Sequence, residues 1–439
     1  MHLKRPVFCL FLTGIHLFSL FAADADPEPL KLEDCQALAR EFSPQLARQR
    51  LTYSNLVESV YVAKAIYDPS LQIRRSWEEE QDPKRYTATL RQQLPADLDT
   101  TLTARQEERN GETFSNYALN LSKTLLGGGS LLEGRLPLER AWIQRAKEAN
   151  RLSLEERRLR LSITRDYYAV LRSRLTLKLR EQQLEGAKRN LEHAMIKEDP
   201  LDIATAKLRI PESELDVISS KREIANGRLS LTQRIGLPVI QPVNVDTQLI
   251  FRTEQIQIEQ DLVHALENHE DILNARLDVE LRRMENQVAR SRRLPELRAE
   301  VTLEEVDNPD NNDSDIRAEL VLDLPWLDRK DRAEARQRAN DLRQAEIALF
   351  EAQQNVEQQI KSLAVRLMEA ERSVELQVER VAVLEQQFRL YQDRWENGEI
   401  NILEFVRSQN DLENARVRLV AEQTRYLELL AEYDFNTGK

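Results

Sequence analysis

The side chains best able to carry chemistry in this sequence are its histidines and carboxylates. His193, His264 and His269 follow the N-terminal region, and none has a cysteine or a second histidine at the i+4 spacing that would suit a metal on a helix. No nucleophile motif stands out. The many Asp and Glu residues are interspersed with Arg and Lys, as on solvated helix faces. We therefore expect no enzyme activity, no cofactor and no metal centre.

Composition points to long helices. Charged residues make up 31% of the 439 residues, glycines number only 11, and the net charge is -12. A charged, glycine-poor chain with helical periodicity is typical of coiled coils. The negative charge, without a basic stripe, gives no surface for a phosphate backbone. Nucleic acid is therefore not an expected partner.

The N-terminus reads as a secretory signal. A basic start with Lys4 and Arg5 precedes the apolar run 7–21, and small residues then offer a cleavage site of the Ala-x-Ala form at 23–25. The run is shorter than the roughly 20 residues that span a bilayer. The sequence predicts a signal peptide over 1–25 and an exported protein.

The rest of the chain is a duplication. When the sequence is aligned with itself so that Leu30 falls on Ile256, 30–71 matches 256–297 without a gap, and Pro69 falls on Pro295. A duplication of this size means two copies of one structural unit. We expect a first repeat over 26–240, a linker over 241–258 and a second repeat over 259–439.

Alternating sequence predicts strands in each repeat. Apolar and polar residues alternate over about 71–125 in the first repeat and about 297–324 in the second. Period two indicates strands with one apolar and one polar face. In an exported chain such strands fit a closed membrane barrel, in which every strand edge is paired. A soluble sheet packed on one face fits the same period, and the pattern alone leaves both open.

Long helical hairpins follow the strands. About 65 residues from Lys330 to Glu396 keep apolar spacings of three and four, which predicts a coiled-coil helix of roughly 100 Å. The chain should reverse near 198–202 in the first repeat and near 397–401 in the second. The fold class is therefore mainly α with a small set of strands, built from a duplicated helix–strand–helical-hairpin unit.

This order of elements resembles the TolC-like outer-membrane efflux proteins, the outer-membrane factors of tripartite efflux and type I secretion systems. The motifs that carry the resemblance are Ser43-Pro44-Gln45-Leu46, Ala265–Leu273, Leu322-Asp323-Leu324-Pro325-Trp326, Arg394–Ile400 with Leu403-Glu404-Phe405, Asp166-Tyr167-Tyr168 and Leu201-Asp202-Ile203. Each motif is short, but their order within a duplicated chain is specific.

The resemblance implies a homotrimer in the cell outer membrane that extends into the periplasm. Its strands would share one transmembrane β-barrel in outer-membrane lipid, and its helices would form an α-barrel tunnel. Such a protein is an exit duct for efflux or secretion, which docks with a periplasmic adaptor (membrane fusion) protein and an inner-membrane transporter.

Candidate functional residues are those of a conduit. At the two hairpin tips, where docking and gating are expected, they are Asp199, Pro200, Leu201, Asp202, Arg394, Asn397, Gly398, Glu399, Ile400 and Glu404. Threefold symmetry would bring the acidic tip residues together as a ring of charge. Expected to line the barrel lumen are Arg91, Arg105, Arg298, Glu300, Arg317 and Glu319.

The sequence departs from the family pattern in two places. The first repeat predicts four strands where the family has two, so a trimer could close eighteen strands rather than twelve. The first tip carries Pro200 and lacks the glycine that the second has at Gly398. The alternative function, a soluble periplasmic coiled-coil adaptor or scaffold, fits the long hairpins less well, because adaptors usually have one hairpin and no duplication.

Overall fold

The computed structural model describes residues 29–76, 84–94, 98–109, 112–126, 130–239, 243–308, 311–324 and 329–438. The predicted signal peptide over 1–25 and its cleavage site lie outside these residues.

Helices dominate the described residues. They are α1 (Leu32–Phe42), α2 (Pro44–Lys64), α3 (Ser130–Lys197), α4 (Pro200–Ile235), α5 (Ile258–Asn268), α6 (Glu270–Ser291), α7 (Arg329–Glu396) and α8 (Ile402–Thr437), with a 3₁₀ turn at Ala65–Tyr67. A proline within a helical segment predicts an interruption or strain, but helix α4 continues through Pro211. Helix α3 begins before Pro137. Within the described part of the chain, no helix combines the length and apolar character needed to cross a membrane.

Six strands form one antiparallel sheet. They are β1 (Ser70–Ser76), β2 (Lys84–Leu94), β3 (Leu98–Arg109), β4 (Glu112–Leu126), β5 (Glu296–Asn308) and β6 (Asn311–Asp323). Their order in the sheet is their order in the chain, so every neighbouring pair is antiparallel. The prediction of four strands in the first repeat and two in the second is confirmed.

The helix bounds repeat in step with the sequence. Helices α1 and α5, each 11 residues long, begin at Leu32 and Ile258, which the gapless alignment of the two repeats places opposite each other. Beyond the strands, α3 begins at Ser130 and α7 at Arg329, and both helices span 68 residues. The offset between the repeats is smaller here than it is before the strands. The first repeat therefore holds additional residues between these helices.

The helical periodicity of 31–66 and of 259–293 predicts one continuous helix at the start of each repeat, but both helices are broken. Ser43 is extended (φ -62°, ψ 119°), because the residue before a proline is pushed out of the helical region. His269 breaks the second copy without a proline. Its Nδ1 accepts a hydrogen bond from the Asp271 amide at 3.3 Å, which caps α6.

The chain divides into two compact units. We call the first the tip unit; it contains the described residues up to Pro44, Leu159–Gln255 and Arg366–Glu432. The second, the sheet unit, contains Gln45–Arg158, Ile256–Val365 and the described residues from Tyr433.

In the sheet unit, the buried carboxylate of Glu285 joins three helices. It lies 2.7 Å from Arg140 of α3, 2.8 Å from Arg282 of α6 and 3.6 Å from Arg338 of α7. Burial works to raise the pKa of Glu285, but hydrogen bonds from Arg282 and Arg140 hold it below its ordinary value. Removing the carboxylate would leave three cations facing one another.

In the tip unit, α4 ends against the break between α1 and α2. Gly236 takes a left-handed conformation (φ 94°), and its amide donates to the Thr232 carbonyl at 3.1 Å. A Cβ at this position would lie 2.3 Å from the carbonyl oxygen of Phe42 and 2.9 Å from Cδ of Pro44. Glycine is therefore required here both for its φ and for the close approach of the backbone.

We expect Gly236→Ala to lower the free energy of unfolding by about 2–4 kcal/mol, because backbone strain and a clash with fixed atoms add together. Denaturant unfolding in detergent measures the change. Gly398→Ala is the matched control. Gly398 also has a positive φ (75°), but nothing lies within 4 Å of its added Cβ, so about 1 kcal/mol of strain is expected. Equal losses in the two variants would contradict the close-approach argument.

Candidate functional site

The sheet has one apolar and one polar face. On the apolar face, a direct cross-strand row of aliphatic side chains passes through all six strands. The row is Leu71, Leu90, Leu102, Leu119, Leu303 and Ile316. Leu71 is 66% exposed and Ile316 is 73% exposed, so the described residues of the chain do not cover this row.

The six residues predicted to line a lumen share the opposite, polar face. Arg91 of β2 faces Thr101 on β3, and Arg317 of β6 faces Thr302 on β5. The other predicted residues alternate in phase with these two. They are Arg105 on β3, Arg298 and Glu300 on β5, and Glu319 on β6.

Charges on the polar face are partly compensated. Arg298 lies 2.9 Å from Glu296 and 3.7 Å from Glu300, so two carboxylates of its own strand flank the guanidinium. Asn116 of β4 donates to Glu304 of β5 at 2.7 Å. Such a face suits water on one side of a sheet, as the apolar row suits lipid on the other.

The first hairpin tip is a short reversal between α3 and α4. Asp199 caps α4, its carboxylate accepting from the Leu201 amide at 2.9 Å, and Pro200 occupies the first turn, where its missing N–H costs nothing. Glu198 has a positive φ of 56°, the conformation that a glycine would favour. The first tip has no glycine, and Glu198 therefore adopts the left-handed conformation that Gly398 adopts in the second tip.

The second hairpin tip ends α7 with a left-handed glycine. The Gly398 amide donates to the Trp395 carbonyl at 3.0 Å, and the Glu399 amide donates to the Arg394 carbonyl at 2.8 Å. This is the pattern of a Schellman cap. The exposed side chains of Arg394 and Glu399 pair at 3.3 Å.

Asn401, which is not among the predicted tip residues, caps the following helix. Its side chain accepts a hydrogen bond from the Glu404 amide at 3.0 Å. The spacing of Asn401 and Glu404 resembles a capping box and could have been recognised from the sequence.

An aromatic cluster joins the two tips inside the tip unit. Trp395 stacks on Phe405 with ring centroids 4.5 Å apart, and it meets His193 of α3 edge-on at 5.6 Å. Ala194 and Ala206, from the first hairpin, are buried in the same cluster. Since Ile400 also packs there, part of the predicted tip set is structural. The apolar spacing of α7 predicts a coiled-coil seam that includes Trp395, but it gives no indication of the contact between Trp395 and the first hairpin.

Leucine stripes remain exposed on two helices of the tip unit. On α4, Leu201, Leu208 and Leu215 recur every seven residues and are 63–74% exposed. On α7, the residues at the same spacing are Leu376, Val383 and Leu390, which are 49–64% exposed. The seam predicted on α7 is largely buried, including Ile360 and Leu367, so these stripes form a second, separate set.

A buried carboxylate lies among the hairpin helices. Glu413 of α8 accepts a hydrogen bond from Gln409 at 3.0 Å, while its second oxygen is buried with no hydrogen-bond partner among the described residues. Burial raises the pKa of Glu413 to about 7, although Arg209, Arg180 and Arg416 act to lower it. These arginines also face Glu212, Asp216 and Glu385 respectively.

Known proteins share part of this sequence and most of this architecture. Residues 262–432 match the family model described as "Outer membrane efflux protein". No curated protein matches the chain in sequence. Among solved structures, the outer membrane protein VceC from Vibrio cholerae is similar with a TM-score of 0.71 and 15% identity, over 93% of this chain and 96% of that one.

Two further structures show the same fold. The open state of the Neisseria gonorrhoeae MtrE outer membrane channel gives a TM-score of 0.70 at 14% identity, over 93% of this chain and 88% of that one. The Campylobacter jejuni CmeC outer membrane channel gives 0.67 at 13% identity, over 93% and 85%. The second repeat therefore matches the family model in sequence, and the chain as a whole matches these structures in fold. The fold of the chain is therefore that of the TolC-like outer-membrane channels.

The matching family model and the similar structures describe efflux proteins and channels rather than enzymes. Across the described ranges, no group of three or more His, Cys, Asp or Glu side chains is placed to hold a metal ion.

We expect the stability of the protein to fall between about pH 4.5 and pH 7 because of Glu413. Its folded pKa of about 7 exceeds the ordinary value of 4.5, so the folded state binds this proton more tightly than the unfolded chain does, and the advantage is lost as the pH rises. Glu413→Gln should remove this slope and stabilise the protein at pH 8 by roughly 1–3 kcal/mol.

Denaturant unfolding between pH 5 and pH 8 tests this. Glu404→Gln, which removes an exposed carboxylate from the same helix, is the control and should keep the wild-type slope. An unchanged slope in Glu413→Gln would show that this carboxylate is ionised throughout the range.

Proposed function

We propose that three copies of this chain form an outer-membrane exit duct for efflux or secretion, which docks at its hairpin tips with a periplasmic adaptor and an inner-membrane transporter. The strands of the three copies would close one membrane barrel, and the helical hairpins would form the tunnel beneath it.

The observation that carries the proposal is the open, two-faced sheet. Strands β1 and β6 are its outer strands, and neither is paired on its outer side within the described part of the chain. An open edge beside an exposed aliphatic row would promote aggregation in water. In a membrane the backbone groups of such strands must be paired, which closure with further copies achieves.

The exposed stripes on α4 and α7 support association of copies through the helices. Apolar residues at seven-residue intervals are the pattern by which one helix packs against another. Because no described residue of the chain covers these stripes, a neighbouring copy is the occupant that we propose for them.

The tips are proposed to carry docking and gating. Leu403 is 57% exposed, which leaves an apolar contact on the second tip for an adaptor, whereas Leu201 belongs to the α4 stripe that a neighbouring copy would cover. Arg394 and Glu399 add an exposed ion pair. Asp199 is used as a helix cap, so Asp202 and Glu404 are the better candidates for a ring of charge around the threefold axis.

A variant of the exposed α4 stripe tests whether the chain assembles as a trimer. We expect the wild-type protein to be recovered from outer-membrane fractions as a trimer that resists SDS. Leu208→Glu should dissociate the trimer, because it places a charge in the apolar stripe of α4. Lys207→Glu, at the exposed neighbouring position, is the control and should leave the trimer intact. Recovery of wild-type protein in the soluble periplasmic fraction would instead support the adaptor alternative.

The polar face should set ion selectivity. Glu300 and Glu319 are paired directly across β5 and β6, so they would concentrate negative charge at one level of the lumen. Replacing both with Gln should weaken the preference for cations, measured as a shift of the reversal potential under a salt gradient in planar bilayers. Glu305→Gln, on the other face of β5, should leave selectivity unchanged. Equal shifts in the two variants would place Glu300 outside the conduction path.

A further inference from the structure

The extra strands of the first repeat form one inserted hairpin. Pro69 and Pro295 immediately precede β1 and β5, so these two strands are equivalent in the repeat. Strand β4 leads into α3 as β6 leads into α7, and a single offset relates the start of β4 to that of β6 and the start of α3 to that of α7. Between β1 and β4 the offset shrinks by the length of the segment Lys84–Asn110. The additional residues therefore correspond to β2, β3 and their turns.

An insertion of two strands leaves the rest of the repeat unchanged. Because β2 and β3 run in opposite directions, β4 still returns to the end of the sheet from which α3 must start. A single inserted strand would have reversed the direction of β4.

The inserted hairpin has the same two faces as its neighbours. Leu90 and Leu102 pair directly and continue the aliphatic row, whereas Thr89 and Thr103 pair on the polar face. Strands β2 and β3 have 11 and 12 residues, enough to cross a bilayer when tilted. A plug or an external flap would not need a lipid-type face in register with the wall.

The hairpin lies between its neighbours and not above them. On one side β2 pairs with all of β1 from Ser70 to Ser76, and on the other β3 pairs with β4 from Leu98 to Arg109. A wall made of β1, β4, β5 and β6 alone would require β1 to pair with β4, but the sheet separates them by two strands.

We propose that the β2–β3 hairpin is part of the barrel wall, so that three copies of this chain close eighteen strands. The inference rests on the proposed trimeric barrel and concerns its size. Barrel diameter grows roughly linearly with strand number, so the lumen would be about half as wide again as one of twelve strands. Barrels of 16–18 strands leave an aqueous channel, and this width suits bulky cargo.

Single cysteines placed on the hairpin test its position in the wall. In lipid vesicles, a water-soluble, membrane-impermeant maleimide should label Thr89→Cys and Thr103→Cys but not Leu90→Cys or Leu102→Cys. The positions Thr302→Cys and Leu303→Cys on β5 are the matched controls for the two faces. The unmodified protein gives the background, because Cys35 is buried.

The outcomes separate the two proposals. Labelling of Leu90→Cys and Leu102→Cys, with Leu303→Cys still protected, would place the hairpin outside the wall and overturn this inference alone. Labelling of Leu303→Cys as well would show that the sheet does not face lipid, and the proposed function would fall with it.

Removal of the hairpin gives an independent measurement. Deleting Lys84–Asn110 takes out both inserted strands and leaves Leu71 and Leu119 on the same face for direct pairing of β1 with β4. Electron microscopy of the purified trimers should count eighteen strands in the wild type, and twelve in the deletion, with a diameter smaller by about a third. A twelve-stranded wild-type trimer would overturn the inference.

Discussion

Two requirements determine the rest of the structure. Every strand of the sheet must pair on both sides, and one face of the sheet must be surrounded by apolar groups. Six strands place a row of aliphatic side chains outward, and the chain supplies nothing among its described residues to cover that row. Lipid can cover it, and strands from further copies can pair with β1 and β6. The strands therefore fit an assembly within a membrane much better than a soluble monomer.

The helices, like the sheet, have an apolar surface that the described residues of the chain leave exposed. Each long hairpin buries one seam within the tip unit and leaves a second stripe of leucines exposed, as Leu208 on α4 illustrates. The aromatic cluster around Trp395 fixes the two tips of one chain to each other. The faces that pack within the chain therefore differ from the faces that we propose for contact between copies.

Sequence periodicity predicted most of this architecture because helices and strands of this type are strongly patterned. The six strands, both hairpins and the common face of Arg91 and Arg317 follow from period and repeat alone. The breaks at Ser43 and His269 were missed, although Pro44 marks the first of them. His269 breaks its helix through a local side-chain cap, which periodicity does not reveal. Long-range contacts such as Trp395 with His193 depend on how the hairpins pack and have no local signature.

The two repeats differ where a duplicated chain can change without losing its fold. The offset between them is constant before β1 and constant again from β4 through α3, so the residues that the first repeat has in addition between these helices fall within the sheet. Only an even number of strands can be inserted there, because β4 must still end at the edge of the sheet from which α3 starts. At the tips the copies differ in the means of turning, Glu198 in one and Gly398 in the other, both with positive φ. The lengths of the two repeats therefore differ in the sheet and at the tips, and these are the two places where the proposed conduit would meet its cargo and its partners.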